Sequence, residues 1–159
     1  MALSTAGRFV TWLLALTVSN NHRVAQAATF HLGIRDSFMI AHSFHNHPSF
    51  GPAGKMHGAT FTCDVDFISE KLVEQVNWVV DIGMASELLA RVLKRYNYQN
   101  LDEVFPNGEF TTTEFMCRQI HSDLCQLLKE EEGVEFEGEI CVKLWESHKA
   151  WASYTEKLN

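Results

Sequence analysis

Four of the chain's eight histidines lie close together in the sequence: His42, His45, His47 and His57. Imidazole nitrogens are common zinc ligands, and a catalytic zinc site combines three protein ligands with one open position. Two imidazoles from facing strands and one from the loop between them would meet that requirement. The cluster therefore suggests a zinc site, although H-x-x-H-x-H spacing in a loop is a weak signal by itself.

A carboxylate, Glu146, accompanies these histidines at the polar end of the alternating segment "EICVKLWE". His42 and His57 lie at the polar ends of two other alternating segments, so all three groups lie on otherwise apolar faces. A buried polar group needs a hydrogen-bonding partner, and a buried carboxylate needs one most of all. Taken singly, each is more often a satisfied core group than a functional one. Three elements that deliver polar groups to one layer indicate a pocket.

The elements that position these groups include two long segments that alternate apolar and polar residues, as half-buried strands do. They run over residues 30–44 and 56–68, and each places its histidine on the apolar face. Between them, "HNHPSFGPAGK" contains Pro and Gly and is predicted to be a loop. "EICVKLWE" predicts a third strand, and "WASYTEKL" gives a weaker signal for a last one.

Two helices complete the predicted architecture. The first covers residues 82–96, with Asp81 as N-cap and apolar residues at a 3.6-residue period. The second begins at "TTTE", where Thr111 and Glu114 have the spacing of a capping box, and ends before Gly133. Strands and helices in this order predict a two-layer α+β sandwich.

The composition places bounds on the class of protein. A chain of 159 residues is long enough for one domain with a sizeable core. The net charge of −7 argues against a general nucleic-acid or anionic-membrane binder. The cysteines Cys63, Cys117, Cys125 and Cys141 form no C-x-x-C motif and lie in apolar patterns, which favours buried thiols over a zinc knuckle. Disulfides would be allowed only if the protein is exported.

Residues 1–29 have the character of a targeting segment, whereas residues 30–159 form the predicted domain. The apolar run "FVTWLLALTV" is too short to cross a bilayer, and "AQAA" offers a cleavage site. A signal peptide, an organellar presequence and an ordinary N-terminal helix all fit this pattern. The protein would be exported or organellar if the segment is cleaved, and cytoplasmic otherwise, with no membrane insertion of the mature domain.

Six segments, in order, resemble the 6-pyruvoyl-tetrahydropterin synthase and 6-carboxytetrahydropterin synthase family. "FMIAHSF" is similar to F-x-A-A-H, and "KMHGATF" is similar to L-H-G-H-x-Y. "VVDIGMASELLARVL" resembles the V-x-D-F helix start, and "YNYQNLDE" resembles L-D-H-x-x-L-N/D. "TTTEF" resembles P-T-x-E-N, and "VKLWESHKAWASY" resembles V-x-V-x-E-T with its aromatic tail.

The resemblance implies a T-fold, in which an antiparallel β-sheet carries two helices packed on one face. It also implies homotrimers that pair into homohexamers, with sites at the subunit interfaces. Glu146 would anchor a pterin ring by accepting from its amino and N–H groups, and Thr112, Thr113 and Glu114 would help to hold that ring. The family's zinc would be held by His42, His57 and a third histidine.

The sequence departs from the family's pattern at the metal and at the catalytic groups. The third zinc-ligand position is Ala59, and the position of the family's catalytic Cys is Ala53. The family's catalytic Asp–His pair is replaced by Asn97 and Tyr98. Alanine can neither ligate nor carry a proton, and Asn cannot charge a neighbouring His. Tyr98 would be an acid or base only with a lowered pKa.

Two functions follow from this pattern. The first is a divergent pterin-binding enzyme of tetrahydrobiopterin biosynthesis, which acts on a substrate like dihydroneopterin triphosphate by lyase-type side-chain chemistry. Zinc could still bind to His42 and His57 if His45 or His47 supplied the third ligand, because two imidazoles seldom hold zinc. The second is a non-catalytic pterin- or purine-binding or assembly module that has lost the family's zinc and catalytic residues.

Overall fold

The computed structural model describes residues 28–158, and its first elements form a long hairpin. Strand β1 (Phe30–His42) pairs antiparallel with β2 (His57–Ser69), from Phe30 opposite Ser69 to His42 opposite His57. One face of the hairpin is buried and the other is more exposed, as the two-residue alternation predicts. The predicted strands are therefore confirmed, although β1 ends at His42 and not at residue 44.

The connection between β1 and β2 is more ordered than predicted. It contains two 3₁₀ segments, Phe44–Asn46 and Pro48–Gly54. Residues 44–46 have φ angles of 46°, 50° and 57°, so the chain turns out of the sheet immediately after His42. This left-handed stretch explains why the alternating pattern does not continue as strand.

The sheet has five strands in the order β3-β1-β2-β4-β5. Strands β4 (Glu139–Ser147) and β5 (Ala150–Lys157) extend the antiparallel hairpin, so both predicted C-terminal strands are confirmed. A two-residue strand, β3 (Gln99–Asn100), runs parallel to the end of β1, and a short helix, α2 (Leu101–Val104), follows it. The sequence signals for these two elements are too short to detect.

Helices α1 (Ile82–Lys94) and α3 (Thr113–Glu130) pack on one face of the sheet and enclose the core. Asp81 caps α1 as predicted, because its carboxylate accepts from the backbone N–H of Met84 at 2.8 Å. The predicted cap of α3 is wrong by one residue. Thr112, and not Thr111, accepts from the N–H of Phe115, while Thr111 is fully buried and its hydroxyl is used elsewhere.

The prediction of buried thiols holds fully for Cys63 and Cys117, while Cys125 and Cys141 are half-buried. The four cysteines carry free thiols. The predicted targeting segment lies almost wholly outside the described residues, so that interpretation and the domain boundary stay predictions. Within residues 28–158, none of the helices has the length and apolar character needed to cross a membrane.

Candidate functional site

The site is built around the pair of imidazoles at the open end of the β1–β2 hairpin. Because His42 and His57 are direct partners across the strands, their side chains leave the sheet side by side. Their Nε2 atoms are 3.1 Å apart, and the ring centres are 4.6 Å apart. His42 is 1% exposed, whereas His57 is half-buried at the mouth. The prediction that both histidines occupy the core side of the hairpin is therefore confirmed.

The Nδ1 atom of each ring makes a hydrogen bond that holds the ring in place. Nδ1 of His42 is 3.0 Å from the hydroxyl oxygen of Thr111, which precedes α3. Nδ1 of His57 is 2.8 Å from the carbonyl oxygen of Lys55. Phe44 packs against His42 with ring centres 4.3 Å apart. The pair is thus fixed by hydrogen bonds and by packing.

The electrostatic setting of His42 opposes protonation of its ring. Burial lowers the pKa of His42 below that of an ordinary imidazole, and the neighbouring His57 lowers it further. The carboxylates of Glu146 and Asp102 act on that pKa in the opposite direction, so both are near enough to interact with the ring. Glu146 and Asp102 therefore lie near His42.

Glu146 lies beside the start of α3, but it is exposed and not buried as its place in the alternating pattern predicted. The pairing of β4 with β5 shifts register between Trp145 and Ser147, and such a bulge re-aims a side chain. Oε2 of Glu146 accepts from the Thr113 hydroxyl at 3.2 Å. Since Thr113 is the first residue of α3, the carboxylate lies at a helix N-terminus, where negative charge is favoured.

The other two residues of the predicted ring-binding triplet, Thr112 and Glu114, differ in how available their side chains are to a ligand. Thr112 is engaged as the helix cap, although its hydroxyl proton remains available to a ligand. Glu114 lies in the first turn of α3 and is exposed. The structure therefore brings Thr112, Thr113 and Glu114 to the same helix end as Glu146.

The histidines of the connecting loop lie apart from the imidazole pair. Nε2 of His45 is 3.2 Å from the carbonyl oxygen of Glu109, and Nδ1 of His47 accepts from the N–H of Ser49. Ala59 lies on the same strand face as His57 but offers only a methyl group. Within residues 28–158, no three His, Cys, Asp or Glu side chains are grouped so as to hold a metal ion. These residues do not fit a three-imidazole zinc site, and zinc binding stays a prediction.

Asn97 and Tyr98 occupy the turn between α1 and β3. The side-chain oxygen of Asn97 accepts from the backbone N–H of Met39 at 2.9 Å, so this residue holds the edge of β1. Tyr98 is 76% exposed and has a φ of 60°. Among the contacts of the described residues, none joins the Tyr98 hydroxyl to the histidine pair. Its predicted catalytic role therefore stays a prediction.

Three residues of the site were not identified from the sequence: Thr111, Ser43 and Asp102. Asp102 accepts from the backbone N–H and the hydroxyl of Ser43, which fastens the turn that follows His42. Asp102 does fall within the "NLDE" segment, so its motif carried a signal. Thr111 carried no sequence signal for a role in the site, because its position before α3 is also that expected of a helix cap.

Comparison with known proteins identifies the family and the fold. The sequence matches the family described as 6-pyruvoyl tetrahydropterin synthase over residues 31–157. The fold is similar to that enzyme from Caenorhabditis elegans, at 19% identity and a TM-score of 0.69, over 81% of this chain and 96% of that one. The Plasmodium falciparum enzyme matches at 13% identity and a TM-score of 0.59, over 81% and 98%. The Plasmodium vivax enzyme matches at 14% and 0.59, over 82% and 99%. Curated proteins give no significant match.

At these sequence identities, similarity to the solved structures is evidence for the fold alone. They confirm the predicted T-fold, in which helices α1 and α3 cover one face of a mostly antiparallel sheet. The ligand and the chemistry have to be argued from the residues of this chain.

Proposed function

Because the chain belongs to the 6-pyruvoyl tetrahydropterin synthase family, a family of pterin-related lyases, we propose that it binds a dihydropterin at Glu146. The substrate class would resemble dihydroneopterin triphosphate, and the reaction would be a lyase-type change of the side chain in tetrahydrobiopterin biosynthesis. One observation carries this proposal: the exposed Glu146 carboxylate is held by the Thr113 hydroxyl, at 3.2 Å, at the N-terminus of α3.

Recognition of the ring follows from the chemistry of Glu146. A pterin presents an amino group and a ring N–H side by side, and a carboxylate can accept both in a bidentate pair. One oxygen of Glu146 is oriented by Thr113, and exposure leaves the carboxylate accessible to a ligand. The Thr112 hydroxyl and the exposed Glu114 lie beside it and could contact the ring edge. The N-terminus of α3 adds partial positive charge beside this carboxylate.

The side-chain chemistry would fall to the imidazole pair. Elimination needs a base for a carbon-bound proton and an acid for the leaving oxygen. His57 is the half-buried member at the mouth, and His42 supports it from below at 3.1 Å. Ala53, Ala59 and Asn97 bring no ionisable group, so in this chain we assign the proton transfer to the histidine pair.

Those same three residues support the alternative, a pterin- or purine-binding module without catalysis. In that case Glu146 would still bind the ring, while the histidines would serve only to hold the hairpin end. Self-association is also part of the proposal, because the backbone edge of β5 is open in this sheet order and Trp151 on it is 52% exposed. A trimer or hexamer would cover that edge.

Fluorescence titration of neopterin and biopterin tests the anchor. Glu146→Gln should weaken binding about 10- to 100-fold, because it removes charge-assisted hydrogen bonds. Glu156→Gln is the matched control, since Glu156 is an exposed carboxylate on the adjacent strand that also accepts from one hydroxyl, that of Tyr154. Its affinity should stay within about twofold of wild type. Unchanged binding in Glu146→Gln would overturn both functions.

A second measurement separates the enzyme from the binding module. Wild-type protein is incubated with dihydroneopterin triphosphate while release of inorganic triphosphate is followed, alongside His57→Gln. The enzyme predicts release that falls about 100-fold or more in the variant while ligand affinity is kept. Intact binding without any release in wild type would favour the module.

A further inference from the structure

A groove runs between helix α3 and strand β5, on the side of the sheet that the helices cover. Its walls are formed by side chains from residues 118–129 of α3 and residues 154–157 of β5. Its volume is about 560 Å³, within the range of about 300–1,000 Å³ that small-molecule sites occupy. None of the residues that line it belongs to the site around His42 and Glu146.

The charge of this groove is opposite in sign to that of the whole chain. Three of the thirteen Lys and Arg residues line it, namely Arg118, Lys129 and Lys157, together with one of the twenty Asp and Glu residues, Glu156. The chain as a whole has a net charge of −7. Positive charge is therefore concentrated in the groove of a protein that is acidic elsewhere.

The protein itself does not neutralise this positive charge within residues 28–158. The ion pairs in that part of the chain use other cations, namely Arg35, Lys71, Arg91 and Arg95. The guanidinium of Arg118 lies 5.8 Å from the centre of the Phe115 ring, a contact that leaves its charge in place. The carboxylate of Glu156 accepts from the Tyr154 hydroxyl at 2.7 Å.

The electrostatics of the helix explain one of the three cations but not the other two. Lys129 lies in the last turn of α3, where the partial negative charge of the helix end favours a cation. Arg118 lies in the second turn, near the positive end, and Lys157 lies on β5. Neither of these two residues compensates the helix dipole. The cations of the two walls nevertheless line one groove.

We propose that this groove binds a phosphorylated small molecule that carries at least two negative charges. The guanidinium of Arg118 can donate to two phosphate oxygens at once, and the two ammonium groups add further charge. The hydroxyl of Ser122, on the same wall as Arg118, can donate a further hydrogen bond. The site uses side chains of β5, so the backbone edge of that strand remains available for self-association.

Isothermal titration calorimetry of the full-length protein with pyrophosphate and with ADP tests the site. Both probes should bind, and Arg118→Gln and Lys157→Gln should each weaken binding about 5- to 20-fold, because each removes a charge-assisted contact. Tighter binding of ADP than of pyrophosphate would identify the ligand as a nucleotide. Equal affinities would show that the phosphate groups alone are recognised.

Lys129→Gln and Lys94→Gln form a matched pair, because both residues are exposed cations in the last turn of a helix, α3 and α1 respectively. Lys129→Gln should weaken binding as Arg118→Gln does, whereas Lys94→Gln should stay within about twofold of wild type. Glu156→Gln should instead tighten binding about two- to fivefold, because it removes the carboxylate that lines the groove.

Amide ¹H–¹⁵N NMR spectra locate the bound probes and show that each variant is folded. The signals that shift should include those of Ser122 and Tyr154. No binding at about 1 mM probe, an equal loss of affinity in Lys94→Gln, or a loss in Glu146→Gln with unchanged affinity in the groove variants would each overturn the proposal. Neopterin affinity should be unchanged in Lys157→Gln, so this site and the proposed pterin site are tested separately.

Discussion

Two histidines, His42 and His121, are alike in their burial but differ in the residues that surround them. His42 is 1% exposed and His121 is 4% exposed, and burial lowers the pKa of both. His42 lies at a strand end, and its partners are the side chains of His57 and Thr111. His121 lies in the middle of α3 and packs edge-on against Tyr154 of β5.

The partners of His121 are those of a core residue. Its ring nitrogens are 3.7 Å from the sulfur of Cys125, one helical turn along α3. The backbone carbonyls of Glu156 and Ile140 act to raise its pKa against the effect of burial. These contacts fasten a helix to two strands, and among the described residues no second imidazole contacts the ring. Burial with a shifted pKa therefore does not by itself mark a site.

Replacement of each histidine by leucine gives the largest expected difference between the two regions. His42→Leu should lower the free energy of unfolding by about 2–4 kcal/mol, because it leaves the buried Thr111 hydroxyl unpaired and removes the ring nitrogen that contacts His57. His121→Leu should cost about 1 kcal/mol, since it loses a weak sulfur contact and keeps most of the packing.

Urea denaturation measures both losses of stability, provided that the variants and the wild type have equal m-values. Equal losses of stability, or a larger loss in His121→Leu, would contradict the prediction that His42 contributes more to stability than His121. Met84→Leu, a substitution at a half-buried position on α1, serves as the control for repacking, with an expected change below about 1.5 kcal/mol.

Acidification should reveal the cost of keeping His121 neutral. The unfolded ring binds a proton near pH 6.5, whereas the folded ring binds one only at a lower pH because burial lowers its pKa. Between those two values the unfolded chain holds more protons, so stability is present above about pH 6.5 and is lost as the pH falls. The charged and titratable residues that line the same cavity as His121 are Arg118, Cys125, Lys129, Tyr154, Glu156 and Lys157.

The measurement is the free energy of unfolding at several pH values between 7.5 and 5.5 in wild type and His121→Leu. The difference between the two proteins should change by up to about 1.4 kcal/mol per pH unit in this window. Parallel curves for the two proteins would show that His121 does not contribute to acid sensitivity.

The smallest expected effect is that of Thr113→Val on stability. Its hydroxyl bonds to an exposed carboxylate, so the free energy of unfolding should change by less than about 0.5 kcal/mol. Pterin affinity should nevertheless fall about three- to tenfold, because Glu146 loses the group that orients it. A stability loss as large as that of His42→Leu would contradict the view that Thr113 serves ligand binding, whereas His42 contributes to stability.

Much of the fold could be predicted from local patterns. The two-residue alternation predicted β1, β2, β4 and β5, and Asp81 located the start of α1, because these signals depend on neighbours in the chain. The capping residue of α3 was displaced by one position, since Thr111, Thr112 and Thr113 are equivalent in sequence. A long-range contact with His42 decides between them.

The candidate site was predicted less completely. His42 and His57 were placed together correctly because a hairpin register pairs them, and register follows from alternation. Glu146 was expected to be buried, but a bulge at the end of β4 exposes it. The positions of His45 and His47 depend on the left-handed turn after His42, and no periodic pattern describes such a turn.

The sequence by itself determined that the first two strands form a hairpin, which strand faces are buried and which family the motifs resemble, because hydrophobic periodicity and motif order are properties of the chain. Only the tertiary structure decided that Thr111 completes the histidine pair, that Glu146 lies at the N-terminus of α3, and that His121 belongs to the core. Those outcomes depend on contacts between residues far apart in the chain, and the hydrogen-bonding partner of a buried group is set by what the packed elements bring to it.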